Sequence, residues 1–373
     1  MPAGRTCRGW FPPAWRRRSR TSRLRIAIVS DAWRPQINGV VRTIETVAKI
    51  LRGEGHDVEV FGPDRFRTLP CPTYPEIRLS LFPSARLSHM LKLFAPDALH
   101  LVTEGPLGWA ARKFCLDRGI PFTTAYHTRF PEYVHARIRL PVSWSYAFVR
   151  RFHAPSSAVL VVAQSIRDEL AQRGFKNLVP WSRGVDIAAF RPSPRRNTED
   201  TRPIWLYAGR VAIEKNIQAF LDLDLPGTKW VVGGGPQLEK LKRRYPKARF
   251  FGSVDTEELS ARYAEADCFV FPSRTDTFGL VMVEALASGV PVAGYPVPGP
   301  VDVITDPKVG ALDEDLRLAC LAAVGRDPAD CRRHAETFTW QSCAQQFLDT
   351  LRPIPRGTWQ PLKRRVLPDA AAS

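Results

Sequence analysis

Phe271-Pro272-Ser273-Arg274-Thr275-Asp276-Thr277-Phe278-Gly279-Leu280-Val281-Met282-Val283-Glu284-Ala285-Leu286-Ala287-Ser288-Gly289 is the stretch from which the rest of the chain can be read. Before it, Ala266-Asp267-Cys268-Phe269-Val270-Phe271 is a short apolar run of the kind a buried parallel strand needs. Pro272 and Ser273 end that strand, Gly279 permits a tight approach, and the pattern predicts a helix over 280–287 closed by Gly289. Asp276 in the loop and Glu284 inside the helix bracket the turn. An acid on an otherwise apolar helix is expensive to bury without a partner. The helix N-terminus between the acids presents N–H groups and a partial positive charge. Phosphate at the helix start, with carboxylates accepting from hydroxyl groups on either side, describes a nucleotide sugar. A plain strand–helix unit with an acidic loop is the blander account of the same residues.

The stretch belongs to a chain of 373 residues, long enough for about two domains. With 44% hydrophobic and 24% charged residues it has the composition of a soluble globular enzyme, and no apolar run approaches the length of a membrane span. Residues 1–22 are rich in arginine without an apolar core. They read as a disordered basic arm or an over-extended translation start rather than a secretory signal. The seven cysteines are odd in number and lack paired metal spacing, so reduced thiols in a cytosolic protein are expected and a zinc site is not. The formal net charge of +17 admits three readings. No recognition motif supports nucleic acid. Anionic lipid headgroups fit an enzyme working at a membrane surface. An arginine-favouring, GC-rich proteome would produce the same charge.

The first half opens with a strand over 24–30, a loop through Asn38-Gly39, a helix over 41–52 and a second strand over 57–61, the start of a doubly wound α/β domain. The loop lacks G-x-G-x-x-G, against a nicotinamide or flavin enzyme. Asn38-Gly39 lets backbone come close to a ligand at the strand's C-terminal edge. Further strands are predicted over 97–102, 121–126 and 159–162. His127 sits where the second of these delivers its last side chain to the cleft; a satisfied structural histidine is the alternative. Residues 137–153 interleave arginines and aromatics. They read either as a lipid-contacting amphipathic surface or as a helix whose aromatics face the core.

Residues 191–203 are polar and proline-rich, a linker between a domain at 23–190 and another at 204–340, with a C-terminal helix over 341–373 crossing back and ending in a basic, mobile tail. The second domain starts with a strand over 204–208 and Gly209-Arg210-Val211-Ala212-Ile213-Glu214-Lys215-Asn216. Arg210 and Lys215 flank a turn at a helix start, an arrangement that clamps a diphosphate, although the P-loop pattern is absent. Trp230-Val231-Val232 runs into the tight turn Gly233-Gly234-Gly235-Pro236. The doublets Asp222/Asp224 and Asp313/Asp315 look like D-x-D metal motifs but follow no strand end, and read as solvated faces.

With these residues in hand, the chain resembles a family 4 glycosyltransferase of the GT-B fold over residues 24 to about 350. The motifs that carry the resemblance are Asp31…Pro35-Gln36-x-Asn38-Gly39-Val40, Tyr126-His127-Thr128-x-Phe130, Arg183-Gly184-Val185-Asp186, Gly209-Arg210…Glu214-Lys215-Asn216, and Asp276 with Glu284 at the family's E-x7-E spacing. Asp276 stands where glutamate is commoner, which leaves the preferred sugar open. The resemblance implies an α/β fold of two Rossmann-like domains facing each other across a cleft, and a retaining transferase needing neither cofactor nor metal. It implies catalytic roles for His127, Arg210, Lys215 and Asp276, with Asp276 on sugar hydroxyls and His127 near the reacting carbon. Donor binding is expected from Gly39, Gly209, Gly235, Thr277, Phe278, Gly279, Leu280 and Glu284, the last on the ribose. Within the family the opening motif and His127-Thr128-Arg129-Phe130-Pro131-Glu132-Tyr133 resemble diacylglycerol glycosyltransferases and GDP-mannose-dependent mannosyltransferases. The first expectation is a UDP-sugar donor and a diacylglycerol acceptor, with the enzyme cytoplasmic and peripheral on the inner membrane face. GDP-mannose, or a soluble or polysaccharide acceptor, is the alternative. A nucleotide-sugar sensor without turnover is a reading of another class, disfavoured by the intact cation pair and both acids.

Overall fold

The computed structural model describes residues 23–34, 36, 38–71, 74–132, 139, 141–194, 199–355 and 357–359. The expected basic arm, Arg137 and the tail beyond residue 359 lie outside the described residues.

The apolar runs form two parallel sheets. The first contains β1 (Arg25–Val29), β2 (Asp57–Phe61), β5 (Ala98–Leu101), β6 (Thr123–Tyr126), β7 (Val159–Val161) and β8 (Leu178–Pro180), in the order β2-β1-β5-β6-β7-β8. A separate antiparallel hairpin, β3 (Thr68–Cys71) with β4 (Tyr74–Ser80), stands beside it. The second sheet contains β9 (Ile204–Ala208), β10 (Thr228–Val232), β11 (Arg249–Gly252), β12 (Cys268–Phe271), β13 (Val292–Gly294) and β14 (Gly310–Leu312), in the order β11-β10-β9-β12-β13-β14. Every strand pair in both sheets is parallel, so the strand order reverses at β1/β5 and at β9/β12. In doubly wound sheets ligands bind outside the strand C-termini at such reversals.

Helices of the first half are α1 (Gly39–Gly53), α2 (Ser84–Phe94), α3 (Pro106–Leu116), α4 (Val142–His153) and α5 (Gln164–Gln172). Those of the second are α6 (Ile217–Leu221), α7 (Leu238–Arg244), α8 (Thr256–Glu265), α9 (Leu280–Ala287), α10 (Pro300–Val303), α11 (Leu316–Ala323), α12 (Pro328–Ala335) and α13 (Trp340–Thr350). Asn38 caps α1, its Oδ1 accepting from the Val40 and Val41 N–H groups at 3.0 Å, and Ile44, Val47, Ala48 and Leu51 bury the helix against the sheet.

Helix α13 returns to the first half. Its Trp340, Cys343, Ala344 and Phe347 join the core beneath α1, and the Trp181 indole N–H donates to the Cys343 carbonyl at 2.9 Å. Past Pro353, the described residues Ile354 and Trp359 pack against the first half. The Ile354 N–H donates to the Asp97 carbonyl at 2.8 Å, and Trp359 stacks on Phe114 while its indole N–H reaches the Pro96 carbonyl at 2.9 Å.

Asp31, at the end of β1, ties α3 to the sheet. Its buried carboxylate accepts from the Leu107 N–H at 2.8 Å, the Gly108 N–H at 3.2 Å and the Thr103 hydroxyl at 3.0 Å. Burial outweighs these donors and pushes the carboxyl from 3.8 up to about 6, with Glu104 adding to the rise. The folded state therefore holds this proton more tightly than the unfolded chain, and the group's contribution to stability falls as pH rises from about 4 to about 6. Across that window the stability of the wild type should drop relative to Asp31→Asn by about 2–3 kcal/mol at most. Urea titrations at each pH read the difference; a constant offset would show that the carboxyl titrates normally.

Candidate active site

Loops from both sheets meet at the strand reversals. After β9, Gly209–Asn216 turns back on itself, with the Tyr207 hydroxyl donating to the Arg210 carbonyl at 2.8 Å. Asn216 closes the turn in the left-handed region (φ 53°), and its side chain donates to the Pro272 carbonyl at 3.1 Å. The Thr275 hydroxyl reaches the Glu214 carbonyl at 3.2 Å. The loops carrying Lys215 and Asp276 are thus stitched together, and the Lys215 ammonium bonds Asp276 Oδ1. Asp276 Oδ2 is buried with no hydrogen-bond partner among the described residues. Gly279 then starts α9 with φ 87°, and the loop at Pro296–Pro300 lies alongside, Gly299 facing the carbonyls of Asp276 and Phe278.

From the first half, His127 follows β6. The Thr277 hydroxyl donates to the His127 carbonyl at 2.7 Å, a bond between the two halves. The imidazole packs on Trp181 and its Nδ1 faces the Arg183 guanidinium at 3.4 Å. A donor at Nδ1 makes that nitrogen the acceptor, so the proton sits on Nε2. Burial first, then Arg183, push the imidazole well below its usual 6.5, and it is neutral at pH 7. Nε2 is buried without a partner among the described residues.

Glu284 is buried inside α9, where burial raises its carboxyl above 4.5. Its Oε1 bonds the guanidinium of Arg42 on α1, and its Oε2 lies 3.4 Å from the Tyr263 hydroxyl. Arg42 was not visible in the sequence pattern. The one available signal was the acid itself, which demanded a partner somewhere. Leu280 packs against the cores of both halves, and a Cβ added to Gly39 would meet its Cδ1 at 3.7 Å, so Gly39 and Arg42 of the first half meet Leu280 and Glu284 of the second across the cleft.

Two expected donor-binding residues need restating. The Phe278 ring is buried edge-on to Phe338, so only its backbone is left for a ligand. A Cβ at Gly235 would sit 2.3 Å from the Val211 carbonyl, so the fold's own packing already requires glycine there. The acidic doublets serve local structure: Asp315 caps α11, Asp313 accepts from the Asp315 N–H, and Asp222 accepts from the Tyr245 hydroxyl. Among the described residues no three His, Cys, Asp or Glu side chains group as metal ligands.

Comparison with known proteins agrees with this geometry. The family model "Glycosyltransferase Family 4" matches residues 37–189, and "Glycosyl transferases group 1" matches residues 191–315. A GDP-mannose-dependent alpha-mannosyltransferase of Mycolicibacterium smegmatis is 32% identical over 83% of this chain and 90% of its own length. An alpha-monoglucosyldiacylglycerol synthase of Streptococcus pneumoniae is 29% identical over 83% of this chain and 80% of its own. In fold, the chain is similar to sucrose-phosphate synthase from Thermosynechococcus elongatus, with a TM-score of 0.69 at 21% identity over 87% of this chain and 97% of that one. Two parallel α/β units facing across a cleft, Lys215 bonded to Asp276 in the loop before the helix that carries buried Glu284, and these matches together place the chain in glycosyltransferase family 4, as a retaining hexosyltransferase of the GT-B fold that uses a nucleotide sugar.

Proposed function

We propose that this enzyme moves a hexose from a nucleoside-diphosphate sugar, a UDP-sugar first, to a lipid acceptor of the diacylglycerol class at the inner membrane surface, with no bound metal. The observation that supports the donor side best is a pair of buried orphans on opposite halves: the acceptor Asp276 Oδ2 and the donor His127 Nε2. Sugar hydroxyls accept from one and donate to the other, and the cost of leaving both unpaired is recovered when the sugar binds. Arg210 and Lys215 take the diphosphate; the Lys215 ammonium has three N–H donors and can hold Asp276 and a phosphate oxygen together. As the bond from the anomeric carbon to the phosphate oxygen breaks, charge builds on the diphosphate and these cations bind it more strongly. The acceptor hydroxyl attacks the same face of the ring and passes its proton to the departing phosphate oxygen.

Gly39 tests the phosphate contact. Its position in α1 has room for a methyl group, so Gly39→Ala should leave the melting temperature unchanged or slightly raised. Donor KM should rise, because a side chain at the helix start stands where backbone is to meet phosphate. A variant with wild-type KM would remove Gly39 from the donor site.

The acceptor side rests on the outer face of the first half. Helix α4 divides its aromatic residues: Tyr146 and Phe152 enter the core, whereas Trp144 is 68% and Phe148 46% exposed, beside the exposed Arg150 and Arg151. The core-facing reading holds for the buried face, and the exposed face is the one offered to lipid here. Next to it, Trp109, Arg112, Leu116 and the Lys113–Asp117 ion pair line a groove of about 510 Å³. Exposed aromatic rings among cations suit an anionic interface. Among the described residues no helix is long and apolar enough to cross a membrane. Cosedimentation with phosphatidylglycerol vesicles but not phosphatidylcholine vesicles, and transfer of labelled sugar from UDP-hexose into the organic phase, is the expected result. Product that stays aqueous, with no vesicle binding, would refute the lipid acceptor. GDP-mannose is the second reading of the donor, favoured by the name of the Mycolicibacterium relative. Thermal shifts with UDP and GDP separate the two.

A further inference from the structure

We propose that Arg42, on the half opposite the nucleotide, is a positioning residue for ribose recognition, holding Glu284 in place so that donor binding depends on the two halves being in contact. The inference rests on the reading of Glu284 as the ribose acceptor. Arg42 lies one turn into α1, and Glu284 one turn into α9, and their side chains bond across the cleft although 242 positions separate them. The carboxylate is only 3% exposed, whereas the guanidinium is 41% exposed and lies over the Phe190 ring at 5.7 Å.

The carboxylate's bonding leaves capacity for two more donors. Arg42 takes a lone pair on Oε1. The Tyr263 hydroxyl shares its one proton between the Val281 carbonyl at 3.2 Å and Oε2 at 3.4 Å, so it takes at most one position on Oε2. Each oxygen keeps one more acceptor position, and a ribose offers vicinal hydroxyls. Without Arg42 nothing shown on α9 or α8 balances the carboxylate: the other group on it is the neutral Tyr263. A buried acid in that state takes up a proton or turns away, and either change removes an acceptor from the ribose. Because Arg42 comes from the other half, separating the halves would have the same effect on the carboxylate as deleting the arginine. Contact between halves and readiness of the ribose site are then a single event, which couples donor affinity to closure.

Binding of UDP and GDP, of their 2′- and 3′-deoxyribose analogues, and of inorganic pyrophosphate to wild type, Arg42→Met, Arg42→Lys and Glu284→Gln tests this by calorimetry. The nucleotide that binds the wild type should bind Arg42→Met about 30-fold more weakly or worse, the usual consequence of removing one partner of a buried charge pair. Arg42→Met should no longer distinguish ribose from deoxyribose, Arg42→Lys should recover part of both losses, and pyrophosphate should bind all four proteins alike. In turnover, Arg42→Met should raise donor KM with kcat changed less. Arg42→Met that keeps wild-type affinity while Glu284→Gln loses it would overturn the role of Arg42 and leave the ribose reading standing. Glu284→Gln binding as tightly as wild type, or a wild type blind to the ribose hydroxyls, would overturn the ribose reading itself. If Arg42→Met fails to fold, Arg42→Lys decides: nucleotide affinity and ribose discrimination both reduced but not lost support the proposal, and both equal to the wild type overturn it.

Discussion

Lys215→Met should lower kcat by about 100- to 1,000-fold, the scale of loss when one charge-stabilising group is taken from a transition state. Lys215 lies in a short turn stitched to the Asp276 loop, so its ammonium is held in position before any substrate arrives. Such preorganisation is what makes a cation worth more to the transition state than a mobile one in water. The variant also removes the partner of Asp276, a side chain only 14% exposed, and should lose about 1–2 kcal/mol of stability. The two effects separate in the double variant Lys215→Met/Asp276→Asn. With no charge left to strand, its unfolding free energy should return toward the wild type while its turnover stays low. Equal turnover in wild type and Lys215→Met, with donor still bound, would place the diphosphate elsewhere.

What the sequence disclosed follows from how strongly each feature is constrained. Strands β9 and β12 are unbroken apolar runs and β1 and β5 nearly so, interrupted by Arg25 and His100, and their loops could be placed at strand C-termini on that ground alone. The β3–β4 hairpin escaped because Thr68-Leu69-Pro70-Cys71 contains a proline and half-exposed residues instead of a clean alternation. Strand β8 escaped for a similar reason: it is three residues long, ends in Pro180 and lies at the sheet's edge. The tight glycines looked like ligand contacts, but only packing distinguishes Gly235, pressed against its own backbone, from Gly39, which has room. Phe278 offers a ligand its backbone but not its ring, because residue type does not say which way a loop side chain turns. Arg42 was hidden most thoroughly: ion pairs across a cleft leave no periodicity. The buried acid on α9 announced that such a partner must exist without saying where.

That same acid separates stability from function most sharply. Glu284→Leu should abolish transfer, with kcat/KM down at least about 100-fold, while the protein stays as stable as the wild type or gains about 1–3 kcal/mol. Leucine suits a site among Met282, Val283, Ala285 and Leu286, and Arg42, already 41% exposed, can return to solvent when its partner is gone. Replacing a buried ion pair by a packed apolar side chain is often neutral or stabilising, whereas leaving one charge behind in the interior is not. The pH dependence fixes the sign. Burial raises the Glu284 carboxyl above 4.5, so the folded wild type gives up a proton less readily than the unfolded chain and loses stability as pH climbs through that range. The leucine variant lacks this loss, and its advantage should therefore be larger at pH 8 than at pH 5, as read from denaturant melts. A variant that is less stable at both values would mean that the carboxylate is kept for the fold. A stable, inactive one would mean that the enzyme carries a buried charge against its own stability because the ribose hydroxyls need it.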